Sequence, residues 1–218
     1  MSELFPRPRR VVSPGAVHVP DWLGVEEQLA LLERCREWAR PPAGLREVVT
    51  PGGGRMSVRQ FGLGWHWFPY GYARTAVDGD GSPVKPMPAA LAELARRATA
   101  AAYGDDGPED VYDIALINFY DADARMGMHR DQDERSHAPV VSLSIGDSCV
   151  FRFGNTESRA KPYVDVELRS GDLFVFGQES RMAYHGVPRV HAGTAPPELG
   201  LTGRVNVTLR VSGYDATR

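Results

Sequence analysis

Lysine is nearly absent from this sequence: among 25 basic residues only Lys85 and Lys161 are lysines, and the remainder are arginines. Positive charge in excess is also missing. With a formal net charge of -3 there is no bulk field to attract a polyanion, so any contact with nucleic acid must come from a local basic surface. Arginine suits such local recognition, because its planar fork matches carboxylate and phosphate two bonds at a time. Cysteine is scarce too. Cys35 and Cys149 are far apart and form no metal or redox spacing, which excludes a disulfide scaffold and a zinc ribbon and leaves two small buried hydrophobes in a reducing, cytoplasmic setting. No stretch approaches the roughly 20 apolar residues of a membrane span, and Met1 to Arg10 lacks the apolar segment of an export signal. Neither a membrane role nor export is expected.

A chain of 218 residues fits one domain and can bury roughly 70% or more of its unfolded surface. Three stretches differ in character: a Pro/Arg-rich arm at 1–20, helices and loops at 21–110, and a strand-rich core at 111–214. Val25 to Arg40 reads as a helix with Val25, Leu29, Leu32 and Cys35 on one face, Glu26 and Glu27 in its first turn, and Pro41-Pro42 as its stop. A second helix is expected from Met87 to Tyr103, with Leu91, Leu94 and Ala98 as its stripe and Gly104 as its cap. The glycine- and aromatic-rich stretch between them, 47–86, predicts short hairpins and loops. From Val111 the period changes to two, with strands expected at 113–120, 139–145, 149–153, 163–168, 172–176 and 203–212. Many short strands after two early helices predict an α+β but mainly β fold. Its core would be a double-stranded β-helix (jelly-roll, cupin-like) with the helices packed on one face.

His129-Arg130-Asp131 follows one of these strands, and in extended backbone the side chains of 129 and 131 point the same way. His185 is the candidate third ligand. Two imidazoles and a carboxylate on one face leave three positions open, as in non-haem Fe(II) oxygenases, but zinc sites use the same donors. A His-x-Asp triplet alone is weak. His18, His66, His137 and His191 lack comparable context and read as ordinary surface or loop histidines.

The strand Arg204 to Arg210 separates the metals. Alternation sends Arg204, Asn206, Thr208 and Arg210 to one face and Val205, Val207 and Leu209 to the other. A face with two guanidinium groups must either look into solvent or enclose an anion, because unpaired buried charge is very costly. Asn118 and Tyr120 share a face of the opposing strand and can donate hydrogen bonds to a carboxylate. The two arginines lie about 20 Å apart on a straight strand, so one small ligand can meet both only if the strand curves.

These residues resemble the AlkB family of nucleic-acid dealkylases. The matching text is Thr50-Pro51-Gly52-Gly53, Met56-Ser57-Val58, Gly64-Trp65, Leu116-Ile117-Asn118-x-Tyr120, His129-x-Asp131-x-Asp133-Glu134, Gly177-x-Glu179-Ser180-Arg181 and Arg204-x-Asn206-x-Thr208-x-Arg210, in order over about residues 45–213. The resemblance implies that His129, Asp131 and His185 hold Fe(II), and that 2-oxoglutarate and O2 are cosubstrates. It implies that Arg204, with Asn118 and Tyr120, binds the distal carboxylate, and that Asn206 and Arg210 serve the end near the metal. Trp65 would stack on the extruded base opposite His129, and Asp133 would contact its amino edge. Tyr72, Thr50, Met56 and Ser57 would belong to a nucleotide-recognition lid. The implied reaction is oxidative dealkylation of bases such as 1-methyladenine and 3-methylcytosine in DNA, with RNA as the second candidate, by a monomeric enzyme. An indole and a carboxylate favour those cationic bases over undamaged ones. Two alternatives stay open: a 2-oxoglutarate-dependent hydroxylase of a small molecule or protein side chain, and a non-catalytic nucleic-acid-binding module. The sequence departs from the family at Phe119, in the acidic loop with Asp121 and Asp123, and in the unusually aromatic run His66 to Tyr70, all of which bear on how a nucleic-acid strand is gripped.

Overall fold

The computed structural model describes residues 5–104 and 111–214; residues 1–4 of the arm and 105–110 at the end of the second stretch lie outside the described residues. In chain order the elements are β1 (Arg10–Ser13), β2 (Ala16–Val19), α1 (Val25–Trp38), β3 (Arg46–Val49), β4 (Arg55–Leu63), β5 (His66–Phe68), β6 (Gly71–Ala73), α2 (Ala89–Tyr103), β7 (Ile114–Tyr120), β8 (Met126–His129), β9 (Val140–Gly146), β10 (Ser148–Phe153), β11 (Val164–Leu168), β12 (Leu173–Phe176), β13 (His185–His191) and β14 (Arg204–Arg210). An eight-stranded sheet runs β1-β2-β12-β9-β14-β7-β4-β3 and faces a four-stranded sheet, β11-β10-β13-β8. Every strand pair is antiparallel. This is the expected double-stranded β-helix.

Strand alternation builds two cores. One face of the large sheet sends Ile117, Leu143, Val205, Val207 and Leu209 against Leu31, Leu32, Leu91, Ala95 and Ala98 of the helices. Between the sheets, Phe151, Phe153, Phe174 and Phe176 form a contiguous aromatic layer. Each such side chain contributes about 1.5–3 kcal/mol by leaving water. The hydrophobic faces of β14 and β7 are thereby committed to the helices, which leaves their polar faces turned toward the small sheet.

Three expectations need correction. Within the arm, Arg10 to Val19 forms the hairpin β1–β2, and β2 pairs with β12. Asp172, fully buried, holds this hairpin by accepting bonds from Arg7, from the His18 ring and from the Asp21 backbone. His18 is therefore buried. The buried face of α1 is Gln28, Leu31, Leu32 and Cys35, while Val25 and Leu29 are exposed. The cause is Gln28, whose amide donates to the Leu23 carbonyl and accepts from Ser170. A polar residue with tertiary partners turns the helix away from its most apolar stripe. On α2, Leu91 and Ala98 are buried as expected, Ala95 and Ala102 join them, and Leu94 is only partly covered.

Candidate active site

β8 and β13 are neighbours in the small sheet, with His129 directly opposite His185. Asp131 lies two residues beyond His129, so the three donors converge because of register. Their ligand atoms all lie within 4.8 Å of one another. His129 Nε2 is 3.8 Å from Asp131 Oδ1, and His185 Nε2 is 3.8 Å from Asp131 Oδ2.

The histidine tautomers fit a metal. His129 Nδ1 lies 2.9 Å from the Gly127 carbonyl and His185 Nδ1 lies 3.0 Å from the Ala183 carbonyl. A carbonyl only accepts, so each Nδ1 carries the hydrogen and each Nε2 offers a lone pair to the shared point. Burial, reinforced by the charge of His129, lowers the His185 imidazole to about 4, so it is neutral at physiological pH. Burial works to raise the Asp131 carboxyl, but Arg210 and the two histidines outweigh it and hold the group at about 2. The set is two imidazoles and one carboxylate.

A cavity of about 520 Å³ opens over this triad. Its inner wall is the polar face of the large sheet. Across it, Ser144, Asn206, Asn118 and Gln60 stand opposite one another on four adjacent strands. Asn118 Nδ2 donates to Asn206 Oδ1, and Asn206 Nδ2 donates to Ser142 Oγ and the Leu143 carbonyl. Burial pushes the Tyr120 phenol up to about 12 against the opposing charge of Arg204, so it stays a hydrogen-bond donor.

Both arginines of β14 are buried in this wall, Arg204 at 1% and Arg210 at 6% exposure, which rules out an exposed ladder. Arg210 is engaged within the protein: it pairs with Asp131 Oδ2 at 2.9 Å and Glu134 Oε1 at 2.8 Å, and also reaches the Tyr72 hydroxyl. Arg204 donates to Ser144 Oγ and lies over the Tyr120 ring, but its Nε and Nη1 have no hydrogen-bond partner. No carboxylate among the described residues neutralises it. A buried guanidinium with two idle nitrogens is a receptor for an anion.

The sequence-predicted site residues divide into two groups. His129, Asp131, His185, Asn118, Tyr120, Arg204, Asn206, Arg210, Asp133, Thr50 and Met56 all line the cavity. Trp65, Tyr72 and Ser57 do not. Trp65 is 4% exposed; its indole donates to Asp113, Arg74 covers its ring, and Tyr214 packs beside it. Gly64 causes this: its φ of +76° reverses the chain, and a Cβ there would meet the Asp113 carbonyl oxygen, so the residue after the turn enters the packed side. Trp67, two residues on, lines the cavity and donates its indole N–H to Asp133 Oδ2 at 2.8 Å. Tyr72 bonds to Glu134 rather than facing a ligand. Ser57 exchanges bonds with the Arg125 backbone.

Sequence reasoning gave no role to Trp67, Gln60, Glu134 or Arg181. Glu134 has a fully buried side chain and binds Arg181, Arg210 and Tyr72, while Arg181 also donates to the Asp131 carbonyl. His66 is also buried, against Asp78.

A jelly roll bearing a facial His-Asp-His donor set and a buried, unneutralised arginine defines a metal-dependent oxygenase with an anionic cosubstrate. The sequence profile of the 2OG-Fe(II) oxygenase superfamily matches residues 15–210. The chain is 39% identical to the alpha-ketoglutarate-dependent dioxygenase AlkB of Escherichia coli (strain K12), over 77% of each chain. It is 32% identical to the DNA N(6)-methyladenine demethylase ALKBH1D of Arabidopsis thaliana over 92% of its own length, and spans 50% of that relative. It superposes on the solved structure of OsALKBH1 with a TM-score of 0.84 at 30% identity, covering 94% of this chain and 100% of that one. The chain belongs to the 2OG-Fe(II) oxygenase superfamily and, within it, to the AlkB family. Its cofactor is Fe(II), and its cosubstrates are 2-oxoglutarate and O2.

Proposed function

We propose that the protein oxidatively dealkylates N-alkylated bases in nucleic acid, such as 1-methyladenine and 3-methylcytosine, releasing formaldehyde. The observation that carries this reading is the couple formed by Trp67 and Asp133 on the cavity wall beside the donor triad: an indole face and a carboxylate recognise a flat cation. In this role Trp67 replaces Trp65. His129, Asp131 and His185 would hold the iron. Arg204 would pair with the distal carboxylate of 2-oxoglutarate, with Asn118 and Tyr120 donating beside it and Asn206 fixing Asn118. Arg210 would act mainly on Asp131, holding its carboxylate ionised and aimed. Thr50 and Met56 would contact the nucleotide from the rim. When bound, iron and 2-oxoglutarate supply the oxidation of the N-alkyl carbon by O2, with succinate and CO2 as co-products. The chain's own part is to position the base, exclude water and keep Asp131 charged.

The two buried thiols suit a reducing, cytoplasmic compartment, and no described helix is long and apolar enough to cross a membrane. Mass spectrometry of alkylated DNA and RNA oligomers incubated with Fe(II), 2-oxoglutarate and ascorbate tests the activity; the names of the relatives place N6-methyladenine in the panel. Trp67→Ala should lower turnover on the oligomers by about tenfold or more, since base stacking contributes about 1–3 kcal/mol, while uncoupled 2-oxoglutarate oxidation persists. Trp65→Phe should cost stability but leave KM for the oligomer unchanged. Oligomer turnover indifferent to Trp67 would favour a small-molecule or protein hydroxylase.

A further inference from the structure

The aromatic run of the lid hairpin ends in a residue that no packing explains. Tyr70 is 78% exposed and has a φ of +74°, in the left-handed region where a bulky side chain is strained and glycine or asparagine is usual. It follows Pro69 at the tip of the two-stranded hairpin β5–β6, and both residues sit at the mouth of the cavity over the donor triad. A large aromatic ring is thus held in water, at a conformational cost, beside the active site.

The hairpin that carries it is firmly built. Trp67 pairs with Tyr72 and Phe68 with Gly71 across the strands. The Trp67 indole bonds to Asp133, its carbonyl accepts from Arg46, and the Tyr72 hydroxyl bonds to Glu134. The Phe68 ring lies against Gly71, where a Cβ would come within 3.0 Å of it. Glycine at 71 therefore lets Phe68 fold back over the turn, while Tyr70 projects outward. Strain kept in a rigid element at the rim of a site marks function rather than tolerance.

The geometry points to Tyr70 as a stacking finger for the nucleobase next to the extruded one. Resting on the dealkylase reading above, it makes Tyr70 a determinant of strand over mononucleotide. Extruding a base leaves its neighbour with one unstacked face, and a phenol ring at the mouth of the pocket can cover that face without regard to sequence. Trp67 at the wall and Tyr70 at the rim would then hold two successive bases from one hairpin.

The test compares wild type, Tyr70→Gly and Tyr70→Phe on three alkylated substrates: a short single-stranded oligomer in matched DNA and RNA forms, the same oligomer with abasic sites on both sides of the lesion, and the free alkylated nucleotide. Tyr70→Gly, which relieves the backbone strain, should keep or raise Tm yet increase KM on the intact oligomers about tenfold. Tyr70→Phe should restore the wild-type value. On the abasic-flanked oligomer and on the nucleotide, the three proteins should be equal. With anaerobic iron-loaded protein, 2-aminopurine beside the lesion should be quenched on binding by wild type but not by Tyr70→Gly. Unchanged KM for Tyr70→Gly on intact oligomers, with wild type active on all three substrates, overturns the inference alone. An equal loss on all three substrates overturns it in favour of a structural role. Wild type that turns over none of them overturns the dealkylase reading and the inference together.

Discussion

Arg204 and Arg210 open and close one strand, share one face and are both buried, yet their surroundings are opposites. Arg210 sits between Asp131 and Glu134, with Tyr72 within reach. Arg204 has a serine hydroxyl and a phenol ring, and two of its nitrogens are idle. The difference teaches that a buried charge is structural where the fold supplies the counter-charge, and is a binding group where the fold withholds it. In the proposed reading, the Arg210 end of β14 would maintain the metal-donor set, and the Arg204 end would receive a carboxylate from outside.

The sharpest way to break the contrast is at Glu134. Glu134→Ala would leave Arg181 without its acid and Arg210 with Asp131 alone, and should destabilise the protein by about 3–5 kcal/mol, as removal of one partner from a buried ion-pair network does. Denaturant unfolding measures it, and a cost below about 1 kcal/mol would show that the network is not structural. The same operation at the other end should give the reverse pattern. Arg204→Met removes a buried cation with no acid partner, so stability should hold or improve. KM for 2-oxoglutarate should nevertheless rise by about 10- to 100-fold, corresponding to a charge-assisted contact of about 1.5–3 kcal/mol.

A smaller effect, in acid, sharpens the comparison further, because His185 and Asp131 lie at the Arg210 end. His185 has a folded pKa of about 4, below its ordinary 6.5. Its contribution is therefore complete above 6.5 and is lost as the pH falls toward 4. Metal-free protein should lose about 1.5 kcal/mol between pH 6.5 and 5 from this group. Asp131, also lowered, adds a second loss as the pH falls from 3.8 toward 2. A His185→Phe variant should flatten the first interval, and Arg204→Met should leave it unchanged.

What the sequence revealed, and what it hid, follows from the range of the interactions. Alternation in Arg204–Arg210 and Ile114–Tyr120 was legible because each strand has one face for the helices and one for the cavity. Convergence of His129, Asp131 and His185 could be anticipated from types and spacing, since register does the rest. The split between the arginines was not legible, because it depends on Glu134 reaching β14 across 76 positions in the chain. Trp65 and Trp67 exchanged places because one turn at Gly64 decides which indole faces the cavity. The α1 face was misread because Gln28 is buried through bonds to Leu23 and Ser170. The β1–β2 hairpin was missed because four-residue strands carry too little periodicity to show before a neighbour pairs with them.

The most direct measurement of the claim about Arg204 is calorimetric binding of 2-oxoglutarate and of its monoacid analogue 2-oxopentanoate to anaerobic, Fe(II)-loaded wild type and Arg204→Met. The analogue keeps the 2-oxo acid end and lacks only the distal carboxylate. Wild type should prefer the diacid by about 10-fold or more, and Arg204→Met should bind the two acids about equally. Equal affinity in wild type, or a preference that survives in Arg204→Met, would contradict the account.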